Sequence, residues 1–251
     1  MVNTKMNITP KPACCSKYPK IDQKVIAELV SASKIFKTGK TEIVALQKTN
    51  LQLKKGELML IIGPSGSGKT TLLSLIGCVL YPTEGCVCIN GVDTIGLNDR
   101  QMAELRLKNI GFVFQNFNLI TPLNAEENIK VPMQLNRFSR EKIAEKTNQT
   151  LELLRIKHRS KSLPKQLSGG EQQRVAIARA IVNDPPIILC DEPTAALDSK
   201  SMEIVLKELR HLADSGKAVA VVTHDLRLTQ YADKIIHIEN GRILDEPEGN
   251  R

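Results

Sequence analysis

The chain has no tryptophan, and aromatic residues make up only 3% of its 251 positions. That scarcity excludes a platform for single-stranded nucleic acid, where each base stacks on a planar side chain. Long hydrophobic runs are missing too. The longest, 58–62 and 187–190, are strand-sized, far short of the roughly 18 residues that would cross a bilayer. Residues 1–24 are polar and contain no apolar stretch of the kind a secretory signal needs. Cysteine occurs six times but never as C-x-x-C. Cys86 and Cys88 are expected to share one face of a strand, yet no histidine or further cysteine pair completes a zinc set. Cys78 and Cys190 lie in apolar runs and read as small core residues. Cys14 and Cys15 fall in the basic N-terminal tail, where the alternatives are acylation and simple exposure, the latter being the plainer expectation. The whole set suits a reducing compartment.

Charge is present in excess of one sign: 35 Lys and Arg against 27 Asp and Glu give a net +8. The basic residues are scattered, several of them in the tail, so a solvated and mildly basic surface is the expectation rather than a nucleic-acid face.

Residues 1–24, with Pro10, Pro12 and Pro19, read as a flexible tail. From Glu28 to Leu53 apolar residues alternate as in strands. Gly85 to Ile89 followed by Asn90-Gly91 reads as a strand and a tight turn. Ile110 to Phe114 is a further short strand. Pro122, Pro132 and Pro164 punctuate a region of helical period, in which Ile143, Thr147, Leu151 and Leu154 recur on one helix face over 140–156. A second helix follows Ser168-Gly169-Gly170. Strand-like runs then return at 187–190, 218–222 and 235–238, with a helix carrying Met202, Val205, Leu206, Leu209 and Leu212 between the first two. Such alternation predicts an α/β fold with a mostly parallel, covered sheet. A helical subdomain is expected as an insert at about 98–165 of a 25–251 domain.

Three motifs carry chemistry. Gly63-Pro64-Ser65-Gly66-Ser67-Gly68-Lys69-Thr70 matches the phosphate-loop pattern G-x-x-x-x-G-K-[ST] in full. It lies between an apolar strand, 58–62, and a helix beginning at Thr71. In that setting backbone N–H groups and the helix N-terminus face phosphate oxygens. Lys69 would reach the β- and γ-phosphates, and the Thr70 hydroxyl would ligate Mg²⁺. Secondly, Asp191 and Glu192 end an apolar strand at the edge where parallel sheets bind ligands. Asp191 would hold the metal or its water, and Glu192 would polarise the attacking water. Thirdly, Ser168, Gly169 and Gly170 open a helix and make a second anion site. Two phosphate-binding loops in one short chain suggest a site completed by two copies.

With these motifs in this order, the chain resembles the ATP-binding subunits of ABC transporters over about residues 25–245. Leu167-Ser168-Gly169-Gly170-Glu171-Gln172 is similar to the family signature, with Glu171 where glutamine is usual. The resemblance implies a P-loop NTPase core with an N-terminal antiparallel β subdomain and an inserted α-helical one. It implies ATP, bound with Mg²⁺ across a head-to-tail dimer and contacted by residues 63–71 (Thr71 included) of one copy and Ser168 to Gly170 of the other. It implies roles for Gln115, touching Mg²⁺ or water and linking the site to a membrane partner, for Asp198 in the following loop, and for His224, bonding the γ-phosphate. Phe36 falls where the family places an adenine-stacking aromatic, although tyrosine is commoner there. An integral membrane permease subunit is implied as partner, with this chain peripheral on the cytoplasmic side and no nucleic acid bound.

Gly77-Cys78, Tyr81 to Gly85, Leu105-Arg106 and Gly111 to Gln115 resemble the lipoprotein-release, macrolide-export and cell-division branch. With Gly241 to Leu244 so near the end of the sequence, the resemblance leads to the expectation of no regulatory extension of the kind seen in several importers. The alternative is an ABC ATPase acting on ribosomes or DNA. A DNA-acting relative would need a coiled coil or zinc module in the roughly hundred-residue interval between the phosphate loop and the signature, and a ribosomal one would usually carry two cassettes.

Overall fold

A computed structural model describes residues 24–194, 197 and 199–244, with the side chains of 199–201 not described. The expected tail, with Cys14 and Cys15, and Asp198 lie outside the described residues.

Two sheets organise the molecule. β1 (Val25–Thr38) and β2 (Thr41–Lys54) form a long hairpin. β4 (Glu84–Ile89) pairs with the other edge of β1, and β5 (Val92–Asp93) completes the order β2-β1-β4-β5, antiparallel throughout. Asn90 and Gly91, with φ of 48° and 76°, make the tight β4–β5 turn, as their left-handed tolerance requires.

The second sheet has the order β10-β9-β3-β8-β7-β6. β3 (Leu58–Ile62), β8 (Ala218–Val222), β7 (Ile187–Asp191), β6 (Ile110–Val113) and β9 (Lys234–Glu239) are parallel. Only β10 (Arg242–Leu244) runs antiparallel, at one edge.

Strand alternation divides the core into two layers. Met59 and Ile61 of β3, with Ile187 and Leu189 of β7, face the antiparallel sheet, α1 (Lys69–Ile76) and α2 (Asp99–Asn109). Leu58, Leu60 and Ile62, with Ile188 and Cys190, face α3 (Ala125–Leu135), α4 (Arg140–Leu153), α5 (Gly169–Ile181) and α6 (Ser199–Asp214). Burial on both sides explains why β3 and β8 are continuous apolar runs rather than alternating ones.

Within the interval 98–165, Ile110–Val113 is an edge strand of the parallel sheet, and the helices beyond it are α3 and α4. Pro132 does not end a helix but lies within the last turn of α3, where its ring removes a single N–H bond near the terminus. Asn98, Asn124 and Ser168 each close a capping box on the helix that follows.

The cysteines divide differently from the fully reduced set expected. Cys78 and Cys190 are buried free thiols, as read from the sequence. Cys86 and Cys88 are disulfide-bonded.

Candidate functional site

Strand order brings the chemistry together. The phosphate loop follows β3, His224 follows β8, Asp191 ends β7 and Gln115 follows β6; in the sheet these strands lie side by side as β3-β8-β7-β6. Ile61 is in register with Val222, and Val222 with Asp191. Val113 is in register with Cys190, so Gln115 leaves the sheet level with Glu192. All four segments therefore emerge at the carboxyl edge, the expected ligand edge of a parallel sheet.

The phosphate loop is wedged between β2 and the β9–β10 turn. The Ser67 carbonyl accepts from Gly241 N at 2.9 Å, and the Gln47 amide donates to Gly241 O at 2.8 Å. Gly68 has φ 105°, and a Cβ there would meet the Ala45 carbonyl oxygen at 2.4 Å. Gly63, at φ 155°, has the Ile238 carbonyl oxygen 2.1 Å from the same imaginary atom. Neither position has room for a side chain. The Lys69 ammonium closes the loop from inside, donating to Gly63 O and Pro64 O, each at 2.8 Å. The Ser67 hydroxyl is buried with no hydrogen-bond partner. A buried polar atom left open within the phosphate loop fits a phosphate oxygen.

Thr70 Oγ1 lies 3.4 Å from Asp191 Oδ1. Burial raises the Asp191 carboxyl above its usual range, opposed by the Thr70 hydrogen bond. Two oxygen donors beside a phosphate cradle suit Mg²⁺, which prefers oxygen ligands and shares them with phosphates. Glu192 is left-handed, φ 48°, a conformation rare outside glycine. Its amide is fixed to Val222 O at 2.9 Å. The turn throws its carboxylate toward His224, whose Nδ1 stands 3.0 Å from Oε2. That oxygen is buried and has no aligned hydrogen bond, so the pair is close without being locked. His224 itself is mostly exposed, free to meet a ligand.

Gln115 is exposed in a turn. Its loop is held from a distance: Arg179 of α5 donates to Phe117 O and Asn118 O at 2.8 and 2.6 Å. Sequence reasoning missed Arg179, and no local signal could have joined residues about sixty apart. Phe36 lies on β1 opposite Ile43, near the end of the hairpin whose Ala45 abuts the phosphate loop. The residue is 38% exposed, with Lys34 Nζ 5.3 Å from the ring centroid.

Ser168, Gly169 and Gly170 are not brought to this cradle. They open α5, which belongs to the opposite apolar layer from α1. Ser168 Oγ accepts from Glu171 N, and Glu171 Oε2 accepts from Ser168 N at 2.8 Å. Arg159 donates to Glu171 Oε1 at 2.8 Å, and its guanidinium holds that carboxyl below the usual range.

A phosphate loop, a strand-end acid pair and a histidine on neighbouring parallel strands define a nucleoside-triphosphate-hydrolysing class of protein. Residues 46–195 match the family model described as ABC transporter. The chain is 44% identical over 224 residues to an uncharacterised ABC transporter ATP-binding protein, MJ0796, of Methanocaldococcus jannaschii, covering 87% of this chain and 95% of the relative. It is 38% identical over 221 residues to the macrolide export ATP-binding/permease protein MacB of a Shewanella species, covering 88% of this chain but 34% of that longer protein. A dimeric, post-hydrolysis structure of MJ0796 bound to ADP and Pi superposes with a TM-score of 0.84 at 43% identity, covering 88% and 98% of the two chains. The chain belongs to the ABC transporter family, as an ATP-binding subunit with ATPase activity.

Proposed function

We propose that two copies pair head to tail and clamp ATP between the phosphate loop of one and Ser168–Gly170 of the other. The observation that carries this reading is the separation of the two anion-binding helix ends. α1 and α5 lie on opposite faces of one sheet, so a single chain offers each nucleotide half of its contacts. The dimeric form of MJ0796 supports the pairing.

In each site the loop amides and Lys69 bind the phosphates, and Phe36 stacks on the adenine. Thr70, Asp191 and Gln115 would hold Mg²⁺, which when bound neutralises charge on the β- and γ-phosphates. Glu192 takes the proton of the attacking water. His224 bonds the γ-phosphate and keeps Glu192 turned toward it. Ser168 and its neighbours supply donors to the transferred group from across the interface. ATP thus favours the closed pair and hydrolysis the open one.

The motion is passed to an integral membrane subunit on the cytoplasmic side. Between α2, β6 and the end of α3 runs a groove of about 940 Å³, lined by Leu107, Phe112, Phe114, Leu135, Arg100 and Arg137 among others. Its apolar floor and basic rim suit a short amphipathic helix. Among the described residues no helix is long and apolar enough to cross a membrane, so the translocation path belongs to the partner. The fused ATP-binding/permease architecture named for MacB supports transport over a ribosomal or DNA role. So do α3 and α4, 11 and 14 residues long, which are too short for a chromosome-type coiled coil.

The test is Glu192→Gln. Nucleotide binding persists, hydrolysis falls about 10²–10⁴-fold, and an ATP-held dimer accumulates on size exclusion. Unchanged turnover would falsify the role of Glu192.

A further inference from the structure

The helical layer holds a cavity that the nucleotide chemistry does not use. Its volume is about 220 Å³, and it lies where the end of α4 meets α5 and α6. On α5, Arg174 and Ile177 are three residues apart, so they share one face of the helix and both line the cavity. Val205 and Glu208 have the same spacing on α6, with Lys207 beside them. α4 stops at Leu153, and the chain leaves it through Leu154 and a left-handed Arg155, φ 53°. Both of these residues line the cavity as well.

The wall is of two kinds. Leu154, Ile177 and Val205 are buried members of one apolar cluster. With them stand the cations Arg155, Arg174 and Lys207, against the carboxylate of Glu208. Lys207 is already answered by Glu203, whose Oε1 is 2.6 Å from its Nζ. Arg174 is not: its Nε is buried without a hydrogen-bond partner, although Glu208 lines the same cavity. A buried guanidinium donor left open is costly, and native structures rarely keep one without a reason. An acceptor brought from outside removes that cost.

We infer that the cavity is a binding site for a small carboxylate with a compact, branched apolar body. The carboxylate takes the forked N–H donors of Arg174, Nε included, in the planar pairing that guanidinium and carboxylate favour. The exposed Arg155 adds attractive potential. The apolar body displaces water from Leu154, Ile177 and Val205.

Size limits the choice. The cavity offers about seven times the roughly 30 Å³ that a water molecule takes up in the liquid, which suits a short-chain acid and not a nucleotide. Inorganic phosphate or sulfate would satisfy Arg174 but leave the apolar wall wet. Water alone would do the same. A branched acid answers both parts of the wall at once, and so binds more tightly than either fragment. The site needs neither a second copy nor ATP, so it stands apart from the head-to-tail pairing. It does share α5 with Ser168, which opens that helix.

The probe is 4-methylpentanoate, titrated calorimetrically into the nucleotide-free full chain. Binding is expected with a dissociation constant of about 1 mM or tighter. 4-Methylpentanamide has the same shape without the charge, and acetate has the charge without the apolar body. Each should bind at least about tenfold more weakly. In hydrogen exchange, bound probe should protect the end of α4 and the facing turns of α5 and α6, and leave the phosphate loop unchanged. Arg174→Met should weaken the probe at least about tenfold. Val205→Phe, which fills the cavity with its own ring, should abolish binding. Thermal unfolding shows whether each variant is folded; should Arg174→Met not be, Val205→Phe and the two ligand controls carry the test. The inference is overturned by no binding up to about 20 mM probe, by equal affinity for acid and amide, by equal affinity for acetate, by protection confined to other segments, or by parental affinity in either folded variant.

Discussion

Single atoms decide whether the phosphate loop can exist. At Gly68 a methyl group would press on the Ala45 carbonyl oxygen, in a backbone conformation that non-glycine residues rarely adopt. Gly68→Ala is therefore expected to cost about 1–3 kcal/mol in urea unfolding, and to weaken nucleotide binding at least about tenfold by prising the loop from β2. A variant with the parent's affinity in a fluorescent-nucleotide titration would contradict this account of the cradle. Glu192 shows the same economy with a different residue. Its left-handed turn, pinned by Val222 O, is what separates its carboxylate from that of Asp191. One acid then faces Thr70 and the other His224.

At the scale of elements, helix ends are the recurrent device. Asn124 caps α3, and the fully buried Asn128 of the first turns satisfies both the amide and the carbonyl of Ile120. The loop leading into the helices is thereby tied to the helix it feeds. At α5 the cap is also electrostatic: Glu171 answers Ser168 N and Arg159, with His158 Nε2 farther off at 3.8 Å. Because the Glu171 carboxyl is held below its usual range, its contribution to stability is present above the ordinary glutamate value. It is lost as pH falls through the folded one. Against Glu171→Gln, the parent should be more stable at pH 7 by up to about 1 kcal/mol. That gap should close below about pH 4. A gap independent of pH in denaturant titrations would rule out the charge on Glu171 as its source.

At the scale of the whole molecule, one copy holds its phosphate loop and the helix opening at Ser168 on opposite faces of one sheet. Ser168→Arg places a bulky cation where the second copy's nucleotide would dock, and leaves the phosphate loop untouched. The expected outcome is near-parental ATP affinity, no ATP-held dimer even when combined with Glu192→Gln, and hydrolysis reduced at least about tenfold. Removal of the cap itself adds about 1 kcal/mol of destabilisation, so the affinity measurement is made well below the unfolding midpoint. Loss of monomer binding would mean that Ser168 belongs to the same chain's site.

Much of this was legible in residue order. The phosphate loop, the acid pair after β7 and the helix opening at Ser168 are local motifs, because binding by backbone amides needs contiguous residues. The central strands β3, β7 and β8 announced themselves as apolar runs because they are buried on both faces. Illegible were Arg179 reaching the Gln115 loop, Gly241 bracing Ser67, Pro132 inside α3, and the disulfides of Cys86 and Cys88. Each joins or tolerates groups whose proximity is created only by packing.

Local chemistry in the sequence by itself determined that the chain carries a phosphate-loop motif, two acids at a strand end and a second helix capped by Ser168. The tertiary structure alone decided which of these meet. Parallel strands in the order β3-β8-β7-β6 gather the loop, histidine, acids and glutamine at one edge, because every parallel strand delivers its carboxyl end to the same side. The two-layered packing sends α5 to the other face, because alternate side chains of one strand cannot point the same way.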